Sequence, residues 1–232
     1  MENIKENLEK IKARIAEAAK RAGRSADEIT LVAVSKTMPI EDVEEAFSAG
    51  QTVFGENRVQ ELKEKYDHFE GKATFHQIGT LQTNKVKYLI GRASLIESVD
   101  SKDLITEISR LATKKGVTQE ILIQVNIGRE PQKSGVMPES LYDILEFASK
   151  TAGVKVAGLM AIPPKCEKPD DVRPYFKKMY DLFIDIGTKN MDNIYMRVLS
   201  MGMTNDFEVA IEEGSTAVRV GTAIFGKRDY MI

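Results

Sequence analysis

The first residue that could do chemistry is Lys36, which directly follows the apolar segment TLVAVS at 30–35. It shares side-chain parity with Val32 and Val34, and one such alternating set on a strand faces the inside of a barrel. A lysine that is partly desolvated at the mouth of a barrel can lose its proton and attack a carbonyl, forming a Schiff base. The competing interpretation is a surface lysine just past a strand, and position alone does not decide between them.

The segment LSMGMTND at 199–206 could bind an anion. Ser200 closes an apolar run, and Thr204 leads into the helical pattern NDFEVAIEEG. Free backbone N–H groups at a helix N-terminus, with hydroxyls beside them, bind phosphate. The alternative is simple capping of the helix by Thr204 or Asn205. Both interpretations can hold together, because a capped terminus can also bind phosphate.

The last apolar run, TAVRVG at 216–221, contains Arg219 and is followed by a second small turn, Gly221–Thr222. A buried arginine is costly unless it is paired. Arg219 could therefore serve a phosphate, a ring nitrogen or a structural carboxylate. The two turns together indicate a phosphate site, since loops after the seventh and eighth strands of an α/β barrel usually hold one.

Three further polar residues interrupt apolar runs, namely Glu97, Gln124 and Arg197. They suggest a polar layer inside the barrel, and we expect Glu97 to pair with Arg197. His76, in FHQIG, either stacks on a planar ligand or is a hydrogen-bonded core residue, and we favour the second interpretation slightly. Asn57 is a candidate N-cap for RVQELKEKY that begins at residue 58.

Eight short, apolar and β-branched runs must position these side chains. They are TLVAVS (30–35), TVFG (52–55), TFHQIG (74–79), SLIESV (94–99), EILIQVN (120–126), VAGLMAI (156–162), YMRVLSMG (195–202) and TAVRVG (216–221). Helical patterns separate them, which predicts right-handed crossovers and a parallel sheet. Eight repeats favour a single α/β domain with a (β/α)8 TIM barrel. An open doubly wound sheet is the alternative, but no GxGxxG follows the first strand.

An extra amphipathic helix is predicted at 1–23, because apolar residues recur there at spacings of three and four. The two longest insertions, at 128–140 and 163–174, follow strands and should lie at the C-terminal mouth of the barrel. In this fold, the loops at that mouth build the active site. No linker or low-complexity tract divides the chain, so residues 1–232 are predicted to form one domain.

Composition restricts the class of protein. The chain has 232 residues, of which 42% are hydrophobic, and a formal net charge of −2. This balance argues against nucleic acid and membranes as partners. The single cysteine, Cys166, cannot form an internal disulfide, and no ligand spacing indicates a metal site. Without a signal-peptide pattern, we expect a cytoplasmic protein.

Taken together, seven segments resemble one family, the YggS-like or PROSC-type pyridoxal phosphate homeostasis proteins, which are similar to the barrel domain of fold-type III alanine racemases. The segments are LVAVSKT (31–37), FGENRVQE (54–61), HQIGTLQTNK (76–85), VNIGREPQKSGV (125–136), GLMAIPP (158–164), LSMGMTNDFEVAIEEGSTAVRVGTAIFG (199–226) and the N-terminal helix. Their order and spacing make the resemblance specific, and it covers essentially the whole chain.

The resemblance implies that pyridoxal 5′-phosphate (PLP) is the cofactor and that Lys36 bears it as a Schiff base. It implies phosphate contacts from Ser200, Thr204, Gly221 and Thr222. Arg219 matches the position that faces the pyridine nitrogen, and Asn57 and His76 match positions near the ring. Two departures from the family pattern are Thr204, where serine is usual, and Gln77, where an apolar residue is usual.

We therefore expect a carrier or buffer of PLP in intracellular homeostasis, with little or no catalysis. It could pass PLP to apo-enzymes, and we expect a monomer or weak dimer. The alternative is a weak PLP-dependent amino-acid racemase, for which Cys166 and Tyr175 are the candidate second bases. The chain ends soon after the eighth βα unit, so we expect no tyrosine-bearing second domain of the racemase type. A third interpretation is a cofactor-free aldolase that uses Lys36.

Overall fold

Eight parallel strands close into a barrel in the computed structural model, which describes residues 3–226. The strands are β1 Thr30–Val34, β2 Val53–Glu56, β3 Thr74–Gln77, β4 Leu95–Val99, β5 Gln119–Val125, β6 Val154–Ala161, β7 Ile194–Ser200 and β8 Ala217–Val220. They pair in chain order, and β1 also pairs with β8. This confirms the predicted TIM barrel, and each predicted strand lies within two residues of an observed one at both ends. The outermost residues of the predicted 1–232 domain, 1–2 and 227–232, lie outside the described part.

Helices surround the barrel. They are α1 Ile4–Arg21, α2 Ile40–Ser48, α3 Val59–Phe69, α4 Lys102–Lys115, α5 Leu141–Ser149, α6 Arg173–Gly187, α7 Phe207–Glu212 and α8 Thr222–Phe225. Helix α1 precedes β1, and so it is the predicted extra helix. The connection from β3 to β4 contains a 3₁₀ helix, Thr83–Tyr88, in place of an α-helix. No helix within residues 3–226 is long and apolar enough to cross a membrane.

Helix α1 covers the side of the barrel where the last two helices lie. Its apolar stripe is buried and consists of Ile4, Leu8, Ile11, Ile15 and Ala18. Polar contacts flank the stripe: Arg14 donates to both carboxylate oxygens of Glu208 at 3.1 Å. The Asn7 side-chain amide donates to the carbonyl of Ile224 at 3.1 Å. Helix α1 is thereby attached to both helices that follow the predicted phosphate turns.

The alternation of side chains along the strands produces two apolar layers. The larger layer fills the space between the strands and the helices. The smaller one lies among β4, β5 and β6, and consists of Leu95, Leu122, Ala157 and Met160. Because strand residues alternate between faces, the residues two positions further along β4 and β5 from Leu95 and Leu122 continue the same face. Those residues are Glu97 and Gln124, which puts polar groups on that face near the C-terminal ends of the strands.

Candidate functional site

A cavity of about 290 Å³ opens at the C-terminal ends of the strands. It is formed by strand ends and by the loops that follow them, as the predicted location requires. Its lining residues are Val34, Lys36, Asn57, Ile78, Gly79, Thr80, Gln124, Ile162, Met203, Thr204, Arg219, Gly221 and Thr222. Of the eight candidate site residues, the structure brings six to this cavity, and His76 and Ser200 are the two that do not line it.

Lys36 enters the cavity from the end of β1. Val34, two residues earlier, also lines the cavity, which agrees with their shared side-chain parity. Lys36 is half-buried, and its ammonium has no hydrogen bond or ion pair with any residue in the 3–226 range. A lysine amine that faces a cavity without a partner is available to a ligand. This distinguishes Lys36 from Lys65, whose ammonium is buried and paired with Glu56 at 2.7 Å.

Asn57 and Gly79 form one wall of the cavity in close contact. A Cβ on Gly79 would lie 2.6 Å from the carbonyl oxygen of Asn57, so only glycine fits there. The Gln77 side-chain amide donates to the carbonyls of Asn57, at 2.9 Å, and Gly79, at 3.1 Å. Gln77 therefore ties together the loops that follow β2 and β3.

The predicted capping role of Asn57 is wrong. Helix α3 begins at Val59, Arg58 precedes it, and no side chain caps this helix. The tight contact with Gly79 and the hydrogen bond from Gln77 place Asn57 at the cavity instead.

A buried polar network lies inside the barrel beneath Arg219. Glu97 is its centre: His76 Nδ1 lies 2.7 Å from Glu97 Oε1, and Ser200 Oγ donates to Glu97 Oε2 at 2.6 Å. Arg219 Nη1 donates to Ser200 Oγ at 2.5 Å and lies 3.7 Å from Glu97 Oε2. Arg219 Nη2 donates to the carbonyl of Ala161 at 2.9 Å. The network fixes the guanidinium at the base of the cavity.

The network also affects the pKa values of Glu97 and Arg219. Burial alone would raise the pKa of Glu97, but the hydrogen bond and charge of His76, with the charge of Arg219, hold it below its ordinary value. Burial lowers the pKa of Arg219, and the charges of Glu97 and Asp206 oppose that change. Because the ordinary pKa of an arginine is so high, Arg219 remains positively charged at neutral pH.

The network bears on two predictions about this region. Glu97 does not pair with Arg197, because Arg197 lies on the exposed outer side and contacts Glu120 at 2.6 Å. The Ser200 hydroxyl, which the resemblance implied as a phosphate contact, is fully buried and hydrogen-bonded to Glu97 and Arg219. The favoured interpretation of His76, a hydrogen-bonded core residue, agrees with its contact to Glu97.

The loop before α7 differs from the predicted cap. The helix begins at Phe207, and Asp206 precedes it in place of Thr204 or Asn205. Asp206 Oδ1 accepts a hydrogen bond from the backbone N–H of Met203 at 2.6 Å, which closes a tight loop around Thr204. Burial raises the pKa of Asp206, while that N–H and Arg219 oppose the change. The hydroxyl of Thr204 makes no hydrogen bond to a described residue, and the side chain lines the cavity.

The insertion at 128–140 folds back over the end of β5. Asn126 holds it, because its side chain accepts from the N–H of Glu130 at 3.1 Å and donates to the carbonyls of Glu130 and Lys133. Gln124 Nε2 donates to the carbonyl of Ser134 at 3.1 Å. Ser134 Oγ is 3.3 Å from Thr80 Oγ1, so the insertion reaches the loop after β3 at the rim of the cavity.

Comparison with known proteins gives a consistent result. A family model described as alanine racemase, N-terminal domain, matches residues 6–229. The chain is 47% identical to the pyridoxal phosphate homeostasis protein of Aquifex aeolicus, over 98% of this chain and 100% of that protein. It is 38% identical to the protein of that name from Pasteurella multocida, over 98% of each chain. The solved structure of PipY from Synechococcus elongatus with PLP bound matches with a TM-score of 0.80 and 32% identity, covering 91% of this chain and 100% of that chain.

The chain belongs to the YggS-like family of pyridoxal phosphate homeostasis proteins. This confirms the resemblance inferred from the seven segments. Gln77, which the resemblance marked as a departure from the family pattern, supports the cavity wall through its two hydrogen bonds and does not line the cavity.

Sequence reasoning did not assign several cavity residues of this homeostasis-family chain. Ile78, Ile162 and Met203 were not assigned to the site, because in the sequence an apolar residue at a strand end is indistinguishable from a core residue. Gln124 was recognised only as a polar interruption of a strand, and a role at the cavity could have been inferred from its place near the end of β5.

The two candidate second bases do not line the cavity. Cys166 lies in an adjoining groove, which shares four residues with the cavity: Ile162, Met203, Thr204 and Thr222. Tyr175 is partly buried and packs against the large apolar core. Neither side chain therefore faces Lys36 across the cavity of this homeostasis-family protein.

Proposed function

We propose that this protein binds PLP reversibly as a Schiff base on Lys36, and that it serves as a carrier or buffer of PLP with little or no catalysis. The observation that carries the proposal is the Lys36 ammonium, which faces the cavity and has no partner among residues 3–226. The names of the relatives and the PLP-bound structure of PipY support the same ligand.

The chemistry of the cavity lining fits PLP. Thr204 and Thr222, whose hydroxyls have no hydrogen-bond partner among residues 3–226, line the cavity and would hold the phosphate together with Gly221. Arg219 supplies a positive charge at the base, where the ring nitrogen would lie, and Asn57 would lie near the ring. The cavity volume of about 290 Å³ is close to the lower limit of ligand pockets, which is about 300 Å³.

The covalent step is simple and balanced. PLP supplies an aldehyde that reacts reversibly with amines. The unprotonated Lys36 amine adds to the aldehyde carbon, a C=N bond replaces the C=O bond, and the oxygen leaves as water with the two N–H protons. Reversal by water releases PLP, which is what a carrier requires.

Two features argue against efficient catalysis. A permanently charged guanidinium next to the ring nitrogen would disfavour its protonation, which weakens the electron-withdrawing power of the ring. Proficient racemisation also needs a base on each face of the bound amino acid, and neither Cys166 nor Tyr175 lines the cavity.

The proposal is tested by the absorption spectrum of the purified protein with added PLP, followed by borohydride reduction and peptide mass analysis. We expect a Schiff-base band, and a reduced PLP adduct on the peptide that contains Lys36. Lys36→Ala should lose both, whereas Lys63→Ala, which changes an exposed lysine on α3, should keep both. A colourless wild type, or an adduct on another lysine, would refute the proposal.

Two further assays separate a carrier from an enzyme. The loaded protein should restore the activity of an apo-aminotransferase without measurable racemisation of L-alanine. Fast racemisation that Lys36→Ala abolishes would instead establish the racemase alternative.

A further inference from the structure

The residue before Lys36 is held by a buried ion pair. Ser35 Oγ donates to Glu56 Oε1 at 2.6 Å, and Lys65 Nζ lies 2.7 Å from the same oxygen. Lys65 Nζ also donates to the backbone carbonyl of Ser35 at 2.7 Å. Glu56 is fully buried, and the side chain of Lys65 is only 4% exposed. These contacts fix the strand end from the side opposite the cavity.

The residue after Lys36 is held by a second acidic side chain. Thr37 has a left-handed backbone with φ of +63°, a conformation that is energetically unfavourable for a non-glycine residue. Its N–H donates to Glu61 Oε2 at 2.6 Å. The N–H of Met38 donates to the carbonyl of Ser35 at 3.0 Å, which closes the turn around Lys36.

The side chain and the backbone of Lys36 are thus in opposite situations. The backbone is fixed on both sides, whereas the ammonium has no hydrogen bond or ion pair with a described residue. We propose that Glu61 and Lys65 are positioning residues that hold the Ser35–Thr37 turn so that Lys36 points into the cavity. The inference rests on the proposed function of Lys36 as the attachment point for PLP.

Both positioning residues come from one face of α3, since they are four residues apart. A buried ion pair is no more stabilising than apolar side chains of similar volume. Apolar side chains, however, could not donate to the carbonyl of Ser35 or accept from the N–H of Thr37. The polar contacts therefore give this part of the molecule a defined turn geometry, which a reacting amine needs to within about 0.5 Å.

The test uses Glu61, which lies at the edge of the site and is paired only weakly with the exposed Arg58, at 3.6 Å. Glu61→Leu removes the acceptor for Thr37, whereas Glu61→Gln keeps an oxygen that can accept. Glu64→Leu is the matched control, because Glu64 is an exposed residue of the same helix. Each variant is titrated with PLP, and binding is measured from the absorbance of the Schiff-base band. Each is also titrated with pyridoxine 5′-phosphate, which has no aldehyde, and that binding is measured by calorimetry.

We expect Glu61→Leu to weaken PLP binding about tenfold, equivalent to about 1.4 kcal/mol, and to leave pyridoxine 5′-phosphate binding unchanged. Glu61→Gln and Glu64→Leu should bind both ligands as the wild type does. Unchanged PLP binding by Glu61→Leu, or equal weakening of both ligands, would overturn the inference. Failure of the wild type to form the Schiff base on Lys36 would instead refute the proposed function, so the two failures are distinguishable.

Discussion

Two buried glutamates at the C-terminal end of the barrel make an instructive comparison. Glu97 lies inside the barrel, and Glu56 lies between β2 and α3, and both are fully buried. Both oxygens of Glu97 have partners, from His76 and Ser200, and Arg219 lies nearby. In Glu56, Oε1 accepts hydrogen bonds from Ser35 and Lys65, and Oε2 has no hydrogen-bond partner among the described residues.

The pKa values of the two carboxyl groups move in opposite directions. Burial raises the pKa of Glu56, and the opposing effects of Lys65 and Ser35 are too small to reverse this. Burial acts the same way on Glu97, but His76, Arg219 and Ser200 together outweigh it and lower the pKa. Equal burial therefore does not give equal protonation: the number of donors and charges decides the direction.

The largest expected effect is that of Glu97→Gln. It removes the carboxylate that faces Arg219 and His76, so the buried guanidinium loses its counter-charge. Breaking a buried pair costs about 3 to 5 kcal/mol in the free energy of unfolding. Urea unfolding at neutral pH measures this loss of stability. The slope of the free energy of unfolding against urea concentration should be unchanged if the substitution alters the compactness of neither the native nor the unfolded state. A loss below about 1 kcal/mol would show that the network is not held by charge.

Glu56→Gln should cost less, about 1 to 3 kcal/mol. The charge of Glu56 is already disfavoured by burial, and the amide oxygen of glutamine can still accept from Ser35 and Lys65. The same urea experiment compares it directly with Glu97→Gln. A loss equal to or greater than that of Glu97→Gln would contradict the stated difference between the two sites.

The pH dependence of the two variants should have opposite signs. Because the pKa of Glu97 is lowered on folding, its contribution is present above the unfolded value of about 4.3 and is lost as the pH falls through the folded pKa. Because that of Glu56 is raised, the folded state binds more protons, and stability falls as the pH rises from about 4.3 towards the folded pKa. From acidic to neutral pH, the cost of Glu97→Gln should therefore grow and that of Glu56→Gln should shrink, by at most about 1.4 kcal/mol per pH unit. Unfolding curves at several pH values measure the stability loss of both variants. If the two losses changed with pH in the same direction, the comparison of Glu97 with Glu56 would be contradicted.

The smallest effect belongs to Arg197→Ala. Its partner Glu120 is on the surface, and the side chain of Arg197 is 55% exposed. Exposed pairs contribute about 0 to 1 kcal/mol. Thermal unfolding in low and high salt measures this contribution. A loss of stability comparable with that of Glu97→Gln would mean that the exposed ion pair of Arg197 is as stabilising as the buried network around Arg219.

The sequence was sufficient for the barrel because eight apolar runs of similar length alternate with helical patterns, and each is a local signal. The position of Lys36 at the mouth of the barrel could be predicted because its side-chain parity with Val34 is also a local signal. The partner of Glu97 could not be predicted, because Arg197 and Arg219 are both charged interruptions of strands. Only the closed sheet shows that one faces inwards and the other outwards. The cap at Asn57 was mispredicted for a related reason, since its contacts with Gln77 and Gly79 compete with local capping. The cap at Thr204 was mispredicted because Asp206 closes that loop by accepting from the N–H of Met203.

The attachment of α1 to the last two helices has a consequence for how the chain folds. Arg14 and Glu208, which form one of these contacts, are 194 residues apart in the sequence. The first strand likewise pairs with the last. During synthesis, the first helix must wait for nearly the whole chain to emerge before its apolar stripe is covered. Such long-range contacts slow folding, and a ribosome-bound chain that lacks β8 would expose this stripe to chaperones or to aggregation.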